Sequence, residues 1–348
     1  MLSSSSSEDE IEVAFQAQRR RRIFRQRINT NFQSIFEFNE RFRMSSVKIE
    51  QLLTDIGPSL YHPTNRSQAL STKLQLCIAL HWLGNGGQYH VIADAHGVSK
   101  ASVCRSLKNV VRAVNQVKFN QVVNWPENVL NVSASFFAKA QFPQVIGCVD
   151  GTLIKIDAPN ENEPAYVDRN GNHSINCMIV CGPNLEIFYV SANWPGSVHD
   201  ARVLRNSTLY QRMEEGWRPI PQAVILGDSG YPLLEWLITP SERHLIDGVP
   251  AFNRAHKRTR RLVENTIGLL KEKFPCLNYM RLSPVYAANI FKCCAALYNI
   301  SREPENNNIC EVGDDSENDV NEDAAQAPAQ NARQRQDELI RYFSLHNN

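Results

Sequence analysis

No apolar run in this chain approaches the roughly 20 residues that a bilayer-spanning helix needs. The opening MLSSSSSEDE also lacks the apolar core of a secretory leader. These two absences point to a soluble, intracellular protein with no membrane role. An excess of charge is missing too: 37 Lys and Arg face 36 Asp and Glu, for a net charge of +1, which excludes a global attraction to polyanions. Zinc-site spacing is absent among the nine cysteines, which are odd in number and scattered through apolar runs such as CMIVC and FKCCAALY. Cys177 and Cys181 therefore read as buried residues, and the pattern suits a reducing compartment. No nucleophile motif accompanies His199, which argues against a Ser-His-Asp hydrolase and leaves that residue a substrate contact or a turn former, and His81, His90 and His96 read as structural or surface residues.

The neutral total conceals an asymmetry. RRRRIFRQR places six arginines in residues 19 to 27, whereas residues 311 to 323 hold seven acids and no base. The arginine run reads as a solvated face, a nuclear import signal or a phosphate-binding arm. Residues 1–44 are expected to be a disordered basic tail and residues 303–348 a disordered acidic one. Between them, residues 45–135 show helical periodicity and residues 145–302 show strands alternating with helices, which predicts an α/β layer structure. Within the helical region, Val103, Leu107, Val110, Val111 and Val114 share one helix face, and Arg105, Lys108 and Arg112 share the opposite one. Ser99 is the expected N-cap after a turn at Gly97. This is a helix-turn-helix pattern that could offer a basic stripe to DNA; a bundle helix with a solvated charged face gives the same pattern.

The segment GCVDGTLI, residues 147 to 154, predicts a strand ending in Asp150 and a tight turn. It is close to the D-x-D-G-T-L signature of haloacid dehalogenase-like phosphatases, but Cys148 stands at the position of their nucleophile. Four acids are expected on one edge of the sheet: Asp150, Asp228 in AVILGDSGY, Asp200 in WPGSVHDARV, and Glu264 on the helix RRLVENTIGLL. Acids clustered beyond strand ends repel one another, and a divalent cation removes that cost. Oxygen-only ligands suit Mg²⁺ or Mn²⁺. Taken singly, the acids have plainer readings: a turn at Asp150, a helix cap at Asp200, an i, i+4 pair between Glu264 and Arg260. Arg254, Lys257, Arg258, Arg260 and Arg261 surround Glu264 with positive charge, which suits a phosphodiester backbone. Trp194, Pro195 and Gly196 read as a rigid loop that positions Asp200.

Taken in order, GCVDGT, PGSVHDARV, LGDSGYPLLEWLITP and VENTIGLLKEKFPCL resemble the PIF/Harbinger transposases and the harbinger transposase-derived nucleases, the family with a DDE superfamily endonuclease domain. The resemblance covers residues 45 to 302. It implies an RNase H-like mixed sheet with flanking helices, preceded by a small all-helical unit. It also implies a DDE triad at Asp150, Asp228 and Glu264, with Asp200 at an additional acidic position, all four as metal ligands. Where the family often has His after DGT this chain has Leu153, and where it often has Glu-Arg and Phe-Gly this chain has Glu264-Asn265 and Ile267-Gly268. The expected activity is two-metal hydrolysis of DNA phosphodiesters in the nucleus, with the cytoplasm as a second location. A 3′-hydroxyl would replace water if strand transfer occurs. The resemblance further implies a separately encoded Myb/SANT-like DNA-binding partner. A domesticated, non-cleaving DNA-binding or recruitment protein is the alternative, and a phosphatase the third reading.

Overall fold

The computed structural model describes residues 26–27, 34–64, 68–243, 245–302 and 329–346. The rest of the arginine run and the acidic stretch 311–323 lie outside them. Serine hydroxyls open the N-terminal helices, each accepting a hydrogen bond from the backbone N–H three residues on and so satisfying one of the donors that a helix start leaves open. Ser34 opens α1 (Ile35–Phe42), Ser45 opens α2 (Ser46–Leu60) and Ser71 opens α3 (Thr72–Asn85). After α4 (Tyr89–His96), which ends on left-handed Gly97, Ser99 opens α5 (Lys100–Val117). The short α6 (Phe119–Val122) and then α7 (Val129–Ala140) lead to the sheet. On α5 the five expected apolar residues are buried. Arg105, Lys108 and Arg112 are exposed on the other side.

The strands are β1 (Val145–Ile156), β2 (Ser174–Cys181), β3 (Ile187–Pro195), β4 (Val224–Leu226), β5 (Leu237–Ile238) and β6 (Tyr279–Met280). Their order is β3-β2-β1-β4-β5, with β6 joined to the far end of β1. The first three pair antiparallel, whereas β4 and β6 run parallel to β1, and β5 parallel to β4. Between β3 and β4 come α8 (Asp200–Arg205) and α9 (Thr208–Glu214), two helices where HDARVLRNSTLYQRM suggests one. The break falls at Ser207, whose hydroxyl caps the second. The long α10 (Val249–Lys273) and the apolar α11 (Pro284–Ser301) complete the layers. A six-stranded mixed sheet with flanking helices is the RNase H-like arrangement expected from the sequence. The helical region and the sheet share one hydrophobic core that runs from Phe42 to Phe343. Asn299 on α11 stitches them, its Nδ2 donating to Val122 O and to Ile187 O, both at 2.8 Å.

Three expectations are corrected. Asp150 does not end its strand: Gly151 to Lys155 continue it, paired with Met178 to Ser174 of β2. The basic tail does not extend to residue 44, because Phe42 and Met44 are buried in the core. The C-terminal segment is not disordered throughout. Gln330–His346 forms α12, which buries Ala332, Leu339, Ile340 and Phe343 at helical spacing. Phe343 meets Phe142 and Phe252 with ring centroids 5.4 and 6.0 Å apart. Arg335 donates to Gln222 O at 3.1 Å and Gln336 to Thr239 O at 3.0 Å.

Candidate active site

Register brings Asp150 and Asp228 together. Cys148 of β1 pairs with Leu226 of β4, the last residue of that short parallel strand. Asp150 and Asp228 each lie two residues beyond this pair, Asp150 still within β1 and Asp228 just past the end of β4. Each carboxylate is fixed by a local backbone N–H: Gly151 N donates to Asp150 Oδ1 at 2.9 Å, and Gly230 N to Asp228 Oδ1 at 3.0 Å. Asp200 is the first residue of α8, after a turn at Gly196 and Ser197; Trp194 and Pro195, expected in a rigid loop, are instead the last residues of β3, paired with Asn176 and Ile175 of β2. Asn176 of β2 holds it there, donating from Nδ2 to Asp200 Oδ1 at 2.7 Å and to Val198 O at 2.8 Å. The carboxylate of Asp200 lies against Gly151, so close that a Cβ there would sit 2.3 Å from its Oδ1.

The three aspartates feel one another. Burial pushes the Asp150 carboxyl up to about 7; Arg260 opposes the rise, and the charges of Asp228 and Asp200 add to it. Burial also raises Asp200, against the Asn176 hydrogen bond and with the help of Asp228. Tyr231, three residues after Asp228, is buried beside them, its phenol pushed well above its usual range first by burial and then by Asp200, Asp150 and Asp228. Among the described residues, the Tyr231 hydroxyl and Asn176 Oδ1 are buried without a hydrogen-bond partner.

Glu264 is held differently. It is exposed on α10, and Arg260 one turn earlier donates to its Oε1 from Nη2 while its Nη1 reaches Asp150 Oδ2 at 3.3 Å. Burial disfavours the guanidinium charge, and Asp150, Glu264 and Asp228 together outweigh that cost.

Residues 149–299 match the family model described as DDE superfamily endonuclease. The protein named "Putative nuclease HARBI1" of Rattus norvegicus is 35% identical over 73% of this chain and 74% of its own length. The human protein of that name is also 35% identical, over the same shares. This chain belongs to the harbinger transposase-derived family. "Protein ALP1-like" of Arabidopsis thaliana is 26% identical over 83% of the chain and 75% of its own length. No solved structure matches the chain.

For a harbinger transposase-derived chain, the donor chemistry of this edge fits a hard divalent cation. Every candidate donor is an oxygen, three carboxylates repel one another, and two buried polar oxygens stand unpartnered beside them. Among the described residues no three acids, histidines or cysteines already surround a common point. Glu264, turned onto Arg260, is the member that stands apart. The basic residues form two groups: Arg105, Lys108 and Arg112 on α5, and Lys257, Arg258 and Arg261, all exposed, on α10 with Arg254. Lys108 Nζ lies 5.9 Å over the ring of Tyr286 on α11, which ties its stem to the sheet-flanking helix. No helix among the described residues is long and apolar enough to cross a membrane.

Cys148, Cys177 and Cys181 are free and buried. His81 and His96 meet between α3 and α4, Nδ1 to Nε2 at 3.1 Å. Sequence reasoning missed Asn176 and Tyr231. A polar residue inside the otherwise apolar SINCMIVC was the available signal for Asn176. Tyr231 carried no such signal, since a tyrosine after GDSG reads equally as core.

Proposed function

We propose that this chain is a divalent-metal-dependent DNA endonuclease. The reading is carried by one observation: Asp150 on β1 and Asp228 just past the end of the adjacent parallel β4 each lie two residues beyond the Cys148–Leu226 pair, with the Asp200 carboxylate packed against Gly151. Asp150, Asp200, Asp228 and Glu264 would hold the metal, Mg²⁺ or Mn²⁺. Bound there, such ions polarise the phosphodiester and lower the pKa of an attacking water. The chain's own residues do the rest. Asn176 keeps the Asp200 carboxylate aimed at the cluster. Tyr231, whose ring packs against Gly227, would offer its unpartnered hydroxyl to whatever occupies the site. Lys257, Arg258 and Arg261 on α10 line the approach to Glu264 and would bind DNA phosphates, while Arg105, Lys108 and Arg112 would hold a more distant stretch of duplex. A nuclear location and a separately encoded Myb/SANT-like protein that supplies target recognition complete the proposal.

The test is nicking of supercoiled plasmid in Mg²⁺. Wild type is expected to cleave, and Asp150→Asn and Asp228→Asn to lose at least 10²-fold in rate while keeping the folded far-UV circular dichroism spectrum, since each removes a ligand from a charge-stabilised step. Wild-type-like cleavage by both variants would sink the assignment. One observation favours a second reading, a DNA-binding protein that does not cleave: Glu264 is paired with Arg260, and no three acids converge among the described residues. That reading predicts DNA binding that survives both substitutions, and no cleavage by wild type with any divalent metal.

A further inference from the structure

Arg260 stands between two of the four acids. Its Nη1 donates to Asp150 Oδ2 at 3.3 Å, its Nη2 to Glu264 Oε1, and only 20% of its side chain is exposed. One turn separates it from Glu264, so α10 carries both the acid and its counter-ion. An i, i+4 pair on a solvated helix face would need no further account. Here the guanidinium is turned inward, away from bulk water, and bridges the helix to Asp150 on β1. A planar fork presents donors from two separated nitrogens and can serve two carboxylates from different elements in this way, where an ammonium must serve both from a single point. The consequence is a distorted set of acids: Glu264 is kept with Arg260, and no three acids converge among the described residues. A cation that used Asp150 and Glu264 together would need the place that the guanidinium now takes.

We propose that Arg260 is a built-in counter-cation that pairs Asp150 with Glu264 in the metal-free protein and is displaced when a divalent cation enters. The proposal rests on the nuclease reading above. No covalent bond changes: two cations compete for the same two carboxylates, and the one displaced is a guanidinium whose fork matches a phosphate. Metal entry would thereby free a DNA-contacting group beside the site, and an empty site would be kept from being forced apart by the repulsion of its own acids.

The test uses the full chain, stripped of metal by a chelator, with Mn²⁺ binding followed by the paramagnetic resonance of free Mn²⁺ and stability followed by thermal unfolding. Arg260→Gln is expected to bind Mn²⁺ on the order of ten-fold more tightly, because it removes a partly buried competitor. Its Tm is expected to fall below wild type without Mn²⁺ and to return to the wild-type level when Mn²⁺ is saturating. Arg260→Lys, which keeps the charge and loses the fork, should lie between them. Arg258→Gln removes one charge from the exposed face of the same helix and should stay within about two-fold of wild-type Mn²⁺ affinity, as screened surface charges do. A merely structural Arg260 predicts unchanged affinity and a Tm loss that Mn²⁺ does not restore. Equal Mn²⁺ affinity in wild type and Arg260→Gln, or the same gain in Arg258→Gln, overturns the counter-cation role and leaves the Asp150 and Asp228 cleavage test standing. No Mn²⁺ binding by any of the four proteins overturns the nuclease reading and this role with it. Should Arg260→Gln fail to fold, Arg260→Lys decides: tighter binding than wild type supports the role, and equal or weaker binding rejects it.

Discussion

Gly151 shows how tightly the site is packed at the level of single atoms. It lies inside a strand, where glycine normally weakens pairing, and it is there because the carboxylate of Asp200 fills the volume that a Cβ would take. Gly151→Ala should therefore act through Asp200. Overpacking of this kind costs about 1–3 kcal/mol, and Mg²⁺-dependent nicking should fall further than that loss of stability alone accounts for. The double-mutant cycle with Asp200→Ala separates the two effects. Removing the carboxylate makes room for the new methyl group, so the pair should be coupled by about 1 kcal/mol or more in urea unfolding. Strictly additive losses would mean that the alanine is accommodated by a shift of β1 and not by expulsion of Asp200.

At the scale of elements, α10 is fastened to β5 by His256, fully buried, whose Nε2 donates to Ile238 O at 3.0 Å. Burial, with a smaller contribution from Arg260, lowers this imidazole to about 4, against the carbonyl hydrogen bond that raises it. The folded protein keeps His256 neutral while the unfolded chain takes up a proton near pH 6.5, so its contribution is complete above that pH and is lost as pH falls toward 4. Asp150 and Asp200, both raised on folding, push the other way over part of the same range. Comparison with His256→Gln, whose amide can still donate to Ile238 O, cancels them. Wild type should lose up to about 1.4 kcal/mol per pH unit relative to this variant between pH 6.5 and 4.5, and parallel stability curves would exclude the effect. The fasteners differ in how far the sequence announces them. The apolar faces of α5 and α10 are legible because each repeats with the helical period, and β1 and β2 because they are β-rich apolar runs, β2 buried along its whole length. The two-residue strands β5 and β6 are not, because nothing so short carries a period and only the sheet beside them makes them strands. Asp150, Asp200, Asp228 and Glu264 stand out as acids that follow strand-like runs or lie on predicted helices, although β1 runs on past Asp150 and Glu264 lies inside α10. The contact of Arg260 with Asp150 does not, because 110 residues separate them and only the packing of α10 against β1 brings them together.

The whole molecule is closed by its C-terminal helix. Composition predicts a tail there because the acidic stretch before it dominates any window that includes it, yet α12 places Phe343 in a cluster with Phe142 and Phe252 beneath the start of β1. Phe343→Ala should cost about 3–5 kcal/mol, as loss of a buried phenylalanine does, measured by urea unfolding; a cost below about 1 kcal/mol would show that α12 packs only loosely in solution.

Charge is likewise distributed over the whole molecule, and the near-zero total is a poor guide to it. Two helices carry groups of exposed bases, α5 at the helix-turn-helix unit and α10 beside Glu264, which share one core through α11, while other exposed bases such as Lys155, Arg169 and Arg205 are scattered. If both groups neutralise phosphates of one bound duplex, each contributes separately to counterion release. Each triple alanine variant, of Arg105, Lys108 and Arg112 or of Lys257, Arg258 and Arg261, should then reduce the slope of log K against log salt by about 2–3, near 0.9 for each phosphate no longer neutralised. The weakening should be the same on unrelated DNA sequences, because phosphate contacts position the duplex and carry no sequence code. An unchanged slope in the α5 variant would assign that stripe to a solvated bundle face and leave α10 as the DNA-tracking element. An unchanged slope in the α10 variant would remove the basic approach to Glu264 on which the nuclease geometry depends.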